Sequence, residues 1–253
     1  MDHWPLSDMH VHATRYRLEG ARQEMTVANI ARHLESLGCQ SAGIVEHLDT
    51  APKHPLSCLE HLVAEFRTVR SSCALYVGAE LDFQGQAISI PDAAAIKERL
   101  GLDFYLAAAH GVGEGVRTVT AFIEDHHRRL MGIVTRCPYV DVVAHPWVEA
   151  PRFAERGRID RWDWSLVPEH YLREFVEAAA AHGKAIEISR KALSSADSPV
   201  FRAFLGMIRD AGARVTTSTD AHSMAEMGNL ARLTELLAAA GLAPASLWQP
   251  AAS

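Results

Sequence analysis

Near the start of the chain, the segment SDMHVH places Asp8, His10 and His12 at every second position. Alternate residues of an extended strand point to the same face, which puts the backbones of the two histidines about 7 Å apart on one side. Two imidazole rings that face the same way are costly to bury without partners. We therefore expect this strand to carry its histidines to a site where other chemical groups meet them.

The composition is that of an ordinary soluble globular protein. The chain has 253 residues, of which 48% are hydrophobic and 22% are charged. Its 25 basic and 31 acidic residues give a net charge of −6, and the scattered Lys and Arg residues argue against a nucleic-acid partner. The N-terminal segment lacks the basic and apolar regions of a signal peptide, and no apolar run reaches the length of a membrane span. Separated cysteines without a CxxC pair predict reduced thiols and a cytoplasmic location: Cys39, Cys58, Cys73 and Cys137.

Turn residues divide the chain into alternating predicted strands and helices. The predicted strands cover residues 5–11, 41–47, 74–81, 103–110, 139–145, 184–189 and 213–219. The predicted helices cover residues 26–37, 56–70, 92–100, 118–136, 168–182, 198–211 and 225–240. Strict alternation favours parallel strands, because each crossover needs a helix to return. We predict one (β/α) barrel domain over residues 1–253, with the irregular connection 146–167 as a lid or substrate loop.

Potential metal ligands fall at the C-terminal ends of six predicted strands. These residues, called here the strand-end set, are His10, His12, His47, Glu80, His110, His145, Asp220 and His222. In a parallel barrel the C-terminal ends of the strands converge on one mouth. A single histidine at a strand end is more often a capping or surface residue, but the shared position of the whole set favours metal binding. We predict that these side chains face each other across the mouth around metal ions.

Mixed nitrogen and carboxylate ligands suit Zn²⁺, Mn²⁺ or Fe²⁺, whereas Ca²⁺ and Mg²⁺ prefer oxygen ligands. The absence of cysteine from the set argues against a thiolate-rich structural zinc site. The set exceeds the needs of one ion that keeps open positions, so we predict two to three divalent ions. Histidines without this placement are predicted to be structural or solvent-exposed: His3, His33, His54, His61, His126, His127, His170 and His182.

The ordered motifs of the chain resemble those of the PHP family, named for polymerase and histidinol phosphatase. The motifs are DMHVH (8–12), EH (46–47), GAE (78–80), AAH (108–110), AHP (144–146) and TDAH (219–222). The HxH pair alone is a weak signal, whereas the full series in order from residue 8 to residue 222 is specific. The resemblance implies a distorted (β/α)7 TIM-like barrel of the PHP type with a trinuclear site at its mouth.

The resemblance also implies roles for individual residues. One ion is held by His10, His12, Glu80 and Asp220; Glu80 bridges to a second ion held by His110 and His145; His47 and His222 hold the third. Asp8 is expected to orient a ligand histidine, and Glu187 is expected to lie behind the ligands rather than among them.

One position departs from the histidinol phosphatase branch of the family. That branch usually has a histidine six positions after the second His of HxH, and here the position is Leu18. Glu19-Gly20-Ala21 instead resembles the Asp-Gly-Ala of bacterial replicative polymerase PHP domains. We predict that Glu19 supplies a carboxylate to the third metal, with a helix cap or a solvated surface acid as the alternatives. The departure makes histidinol phosphate a disfavoured substrate.

The first functional hypothesis is a metal-dependent phosphoesterase that hydrolyses a small phosphorylated metabolite. In this hypothesis a hydroxide that bridges two metals attacks phosphorus, Glu80 forms the bridge, and Asp220 or a metal-bound water serves as the acid. No GxSxG elbow or Walker loop offers a different chemistry. Cations near strand ends are expected to contact phosphate, with solvated loop charge as the alternative for each: Arg190, Lys191, Arg117, Arg15 and Arg17.

Three alternatives accompany this hypothesis. The chain is either a histidinol phosphatase proper, an amidohydrolase-like hydrolase of carbon–nitrogen bonds, or a non-catalytic PHP scaffold. A carboxylated lysine bridge would favour the amidohydrolase, and no lysine lies in the strand-end set. Scaffold domains typically lose ligands, and this chain keeps nearly all of them. We therefore favour the phosphoesterase.

Overall fold

Parallel strands in chain order curve into a nearly closed barrel in the computed structural model, which describes residues 4–251. His3 lies outside the described residues. The strands are β1 (Ser7–His12), β2 (Ser41–Leu48), β3 (Ala74–Gln84), β4 (Ala87–Ile88), β5 (Phe104–Ala108), β6 (Val142–Val143), β7 (Ala185–Ser189) and β8 (Val215–Ser218). All of them are parallel neighbours in the barrel except β4, which pairs antiparallel with the end of β3. The predicted (β/α)7 barrel is confirmed.

The first and last strands meet at the mouth of the barrel. Val11 of β1 pairs with Ala221, and the backbone N–H of His12 donates to the carbonyl of Ala221 over 2.9 Å. This contact sets the HxH pair of β1 beside Asp220 and His222, which lie more than two hundred positions later in the chain.

Helices cover the outside of the barrel. They are α1 (Val27–Ser36), α2 (Leu56–Phe66), α3 (Ala93–Leu100), α4 (Val119–Arg136), α5 (Ala150–Glu155), α6 (Glu169–Ala181), α7 (Pro199–Asp210) and α8 (Leu230–Ala239). Each predicted helix is present with similar bounds, and α5 is an additional short helix within the connection predicted to be irregular. Thr26 caps α1, because its side chain accepts a hydrogen bond from the N–H of Asn29. None of the helices that the structure describes is long and apolar enough to cross a membrane.

The lower interior of the barrel is filled by apolar side chains. Phe104 is fully buried there with Met9 and Leu106, and its ring contacts Trp248 edge to face at 5.7 Å. Two glycines make room for this ring, because a Cβ at Gly43 would lie 2.6 Å from Phe104 and one at Gly78 would lie 2.7 Å from its carbonyl oxygen. This part of the interior is therefore a packed core and not a cavity for a ligand.

The connection 146–167 is held by its aromatic residues. Trp147 is fully buried and contacts Phe175 of α6 and Phe204 of α7, and Trp164 packs against the same Phe204. These contacts anchor the connection to the outer helices, which is the commoner use of tryptophans in a loop.

Candidate metal centre

Glu80, near the C-terminal end of β3, lies at the centre of the histidine cluster. Its carboxylate is 1% exposed. Oε1 lies 3.2 Å from Nε2 of His110 and 2.9 Å from Nε2 of His145. Oε2 faces the other way, 3.5 Å and 3.4 Å from the Nε2 atoms of His10 and His12, and 3.1 Å from Nδ1 of His47. One carboxylate therefore faces two separate sets of ring nitrogens.

The two histidines of β1 converge on Asp220. The Nε2 atoms of His10 and His12 are 3.0 Å apart, and they lie 3.7 Å and 3.4 Å from Oδ1 of Asp220. At least one of the two nitrogens presents a lone pair to the other, since two N–H groups would repel at this distance. Crowded lone pairs and carboxylate oxygens of this kind are the donors that a transition-metal cation takes.

Buried carboxylates hold the outer nitrogens of these rings. Nδ1 of His10 lies 2.8 Å from Oε1 of Glu187, and the hydroxyl of Ser218 donates to the same oxygen over 2.5 Å. Nδ1 of His12 lies 3.4 Å from Oε1 of Glu46. Such contacts turn the Nε2 atoms toward the centre, as carboxylates behind metal-ligating histidines do.

A second side of the cluster joins His47 and His222 to His12. The ring of His12 stacks on His222 at 4.1 Å and on His47 at 4.5 Å. One donor atom from each of the three residues lies within 4.8 Å of the others. The same limit holds for His10, His12 and Asp220, and for His10, Glu80 and His145. Seven of the eight strand-end residues thus fall in groups that could hold a metal ion, and the eighth, His110, is joined to them through its 3.2 Å contact with Glu80.

The backbone is strained at two members of this set. His145 has φ of 37° and Asp220 has φ of 52°, a region that side-chain-bearing residues rarely adopt. Hydrogen bonds of nearby residues stabilise these conformations. After His145, the N–H of Trp147 donates to Nε2 of His126 over 3.1 Å, and before Asp220, the N–H of Thr219 donates to Asp8 over 2.8 Å. Strain of this kind concentrates where a fold must aim a functional side chain.

The charged groups of the cluster shift one another's pKa values. Burial opposes a charge on Glu80, yet His110, His10 and His47 outweigh it and hold the pKa of this carboxyl well below its usual value. Burial also opposes protonation of His12, but hydrogen bonds to Asp220, Glu46 and Glu80 raise its pKa to about 9. Burial and the neighbouring His12 lower the pKa of His222 to about 3. The carboxylates therefore need positive charge, and some rings remain neutral and able to coordinate a metal.

The residues predicted to lie around the ligands are partly buried behind the cluster and partly at the surface. Asp8 lies behind Asp220 rather than behind a histidine, because both of its oxygens accept hydrogen bonds from Thr219. Glu187 lies behind His10, with its Oε1 2.8 Å from Nδ1 of that ring. Glu19 is exposed, as is Leu18 at 69%, and Glu19 is in none of the groups of described residues that could hold a metal ion.

The predicted phosphate-binding cations separate into one that reaches the site and four that do not line it. Nζ of Lys191 lies 2.6 Å from Oδ2 of Asp220 and also contacts Glu149, at the edge of a cavity of about 390 Å³. Arg17 instead forms an ion pair with Glu46 behind His12. Arg117 is exposed and bonds the carbonyl of Val116, and neither Arg15 nor Arg190 lines the cavity.

Residues that the strand-end pattern did not indicate also line the cavity, from loops, from β3 and from α5: Asp49, Lys53, His54, Asp82, Glu149 and Arg152. His54 had been grouped with the structural histidines, but it stacks on His47 at 4.6 Å. Glu46 was part of the EH motif without a role of its own. Its signal was a carboxylate in an otherwise buried strand, which needs a charged partner.

The fold and the site together define a (β/α)7 barrel with a buried histidine and carboxylate cluster at its mouth. No model of a known protein family matches the chain, and no curated protein matches it in sequence. Among solved structures, the chain is similar to a histidinol phosphate phosphatase from Lactococcus lactis subsp. lactis, complexed with zinc, L-histidinol and phosphate. The TM-score is 0.65 at 15% sequence identity, over 94% of each chain. At this identity the likeness shows the fold, which agrees with the barrel that the motifs implied.

Proposed function

We propose that the protein is a metal-dependent hydrolase of phosphoric esters that acts on a small phosphorylated metabolite. The observation that carries this proposal is the position of Glu80, whose two carboxylate oxygens face two different sets of histidine nitrogens. A carboxylate shared in this way suits a site with more than one metal. The zinc and phosphate of the similar histidinol phosphate phosphatase structure support the same reading.

The strand-end set would hold two to three Zn²⁺, Mn²⁺ or Fe²⁺ ions in the groups that the family resemblance suggests: His10, His12, Glu80 and Asp220; Glu80, His110 and His145; His47 and His222. The residues fit such ions because the donors are nitrogen and carboxylate, and because Glu187 and Glu46 fix the buried rings of His10 and His12 from behind. When bound, divalent ions supply Lewis acidity and lower the pKa of water from about 15.7 toward 7.

The chain's own side chains favour water as the nucleophile. Among the described residues that line the cavity there is no Ser, Thr or Cys. Lys191 keeps a positive charge at the cavity, since Asp220 and Glu149 outweigh burial and raise the pKa of its ammonium group. Lys53 and Arg152 line the same space. We assign these cations to the phosphate oxygens of the substrate.

The size of the cavity sets the class of substrate. A volume of about 390 Å³ lies near the lower end of the range for small-molecule sites, which is roughly 300–1,000 Å³. A small phosphoester fits this space, whereas a folded macromolecule would contact only its rim. The departure at Leu18 disfavours histidinol phosphate, so the proposal names a class of substrate and not one compound.

Metal analysis followed by a substrate screen tests the proposal. The purified protein is stripped with a chelator, reloaded separately with Zn²⁺, Mn²⁺ and Fe²⁺, and measured for metal content. Each form is then assayed on phosphomonoesters, phosphodiesters, cyclic phosphates and histidinol phosphate. We expect at least two ions per chain and hydrolysis that disappears on chelation. At most one ion per chain, or no hydrolysis of any ester by any loaded form, would contradict the proposal.

A further inference from the structure

His54 lies in the loop between β2 and α2 and has an unused nitrogen. The residue is 3% exposed. Its Nδ1 lies 2.9 Å from Oδ2 of Asp49, while Oδ1 of Asp49 accepts a hydrogen bond from the N–H of Ala51 over 2.7 Å. Nε2 of His54 is buried and has no hydrogen-bond partner among residues 4–251. A buried nitrogen without a partner is unfavourable, so this atom calls for a ligand.

The ring of His54 stands next to a predicted metal ligand. It stacks on His47 with the ring centroids 4.6 Å apart and the planes at 21°. One donor atom from each of Glu46, His47 and His54 lies within 4.8 Å of the others. His54 also lines the cavity that Glu80 and His222 line. His54 is therefore close enough to His47 for the two side chains to share an ion.

The third metal of the proposed site lacks a ligand from the N-terminal loop. His47 and His222 supply two donors, but Leu18 and Glu19 are both exposed. Arg17 directly precedes these two residues. Its side chain turns inward and forms an ion pair with Glu46, and the chain after it lies at the surface. The nearby His12 is assigned to the first ion, so two histidines alone leave the third ion short of protein ligands, because sites of this kind normally have at least three.

We propose that Nε2 of His54 completes the third metal site with His47 and His222. This inference rests on the proposed multinuclear centre. His54 lies in none of the family motifs, and its loop replaces the contribution that the departure at Leu18 removes. Asp49 acts as the positioning residue, because a carboxylate on Nδ1 fixes the tautomer that leaves Nε2 free for a metal.

The variant His54→Asn isolates the metal-binding nitrogen. The Asn amide can still donate to Asp49 from the position of Nδ1, but no atom replaces Nε2. The matched control is His61→Asn on the exposed face of α2, and Glu19→Ala represents the competing ligand. Metal-free proteins are titrated with Zn²⁺ by calorimetry, and the zinc that remains after dialysis is measured by mass spectrometry. Circular dichroism checks the fold of each variant.

We expect His54→Asn to lose about one zinc ion per chain, or to bind its weakest ion about 100-fold less tightly or worse, because losing a ligand costs at least as much as losing a group behind a ligand. His61→Asn should match the wild type. Asp49→Asn keeps the ring and should weaken the same ion by about 10- to 100-fold. If His54→Asn does not fold, Asp49→Asn decides the question in the same titration.

The inference is overturned if His54→Asn keeps the zinc content and affinity of the wild type. The same result in Asp49→Asn overturns it where that variant decides. Loss of the ion in Glu19→Ala also overturns it. The proposed function is judged separately by the wild-type protein on the phosphoester panel. A wild type that hydrolyses none of the esters contradicts that function, whereas the zinc comparison between variants still decides the role of His54.

Discussion

Replacing Glu80 with Gln tests the shared carboxylate most directly. The substitution keeps the shape of the side chain but removes one charge and turns one oxygen into an NH₂ group, which cannot bind a metal. In one orientation of the amide, the NH₂ group faces His110 and His145. In the other orientation, it faces His10, His12 and His47. An oxygen ligand is lost on the side that the NH₂ group faces. A full charge within about 4 Å of a cation contributes about 4 kcal/mol at an effective dielectric constant of 20.

A loss of that size corresponds to a rate about 10³-fold lower, since each 1.36 kcal/mol is about one factor of ten. We therefore expect kcat on the best phosphoester of the panel to fall by about 10³ or more in Glu80→Gln, with the fold intact. The matched control is Glu155→Gln, at the exposed end of α5. Near-normal kcat with full metal content in Glu80→Gln would refute the reasoning, because a bridging carboxylate could not be replaced without cost.

Three further changes test other parts of the argument. Lys191→Met removes the cation beside Asp220. It should lower kcat/KM about 10- to 100-fold, mainly through KM and with unchanged zinc content, because a charged hydrogen bond to the substrate is lost. An effect no larger than that of the exposed Arg117→Met would contradict this prediction. Burial and the nearby Arg129 hold the pKa of His126 well below 6.5, so stability should fall by up to about 1.4 kcal/mol per pH unit as the pH drops below 6.5. His126→Gln, which keeps an acceptor for the N–H of Trp147, should flatten that dependence in urea unfolding, and an unchanged slope would count against it. Gly78→Ala should lower the free energy of unfolding by about 1–3 kcal/mol through contact with Phe104, whereas Gly206→Ala in α7 should cause no such loss, because its added methyl group would meet only the end of the Arg209 side chain, at 4.0 Å, among the described residues; equal losses would contradict the packing argument.

The barrel could be predicted because its elements carry local signals. The helix α1 buries Val27, Ile30 and Leu34 at helical spacing, and Thr26 caps it. Strand β6 was predicted over residues 139–145, but only Val142–Val143 pair as a strand, since the chain turns into the positive φ of His145. The short helix α5 and the hairpin strand β4 gave too little pattern to detect, because neither is long enough for a periodicity to appear.

The strand-end set could be predicted because a parallel barrel brings the ends of its strands together whatever their sequence separation. The loop-borne part of the site could not. The sequence favoured Glu19 by counting from His12, but the turn Thr14–Tyr16 and the pairing of Arg17 with Glu46 direct Glu19 to the surface. His54 gave no strand-end signal, because its place beside His47 depends on how the β2–α2 loop folds back.

Ligands on strands and ligands on loops should hold their metal ions with different affinities. His10 and His12 are fully buried on β1 and are held from behind by carboxylates, whereas the side chain of His222 is 35% exposed and His54 lies on a loop. Rigid, buried ligands lose less order on binding, so the ion at His47, His54 and His222 should bind more weakly than the ions at Glu80. Zinc release to a chelator should then occur in two phases, with the fast phase absent in His54→Asn. A single phase in the wild-type protein, or an unchanged fast phase in the variant, would show that strand and loop ligands hold their ions equally.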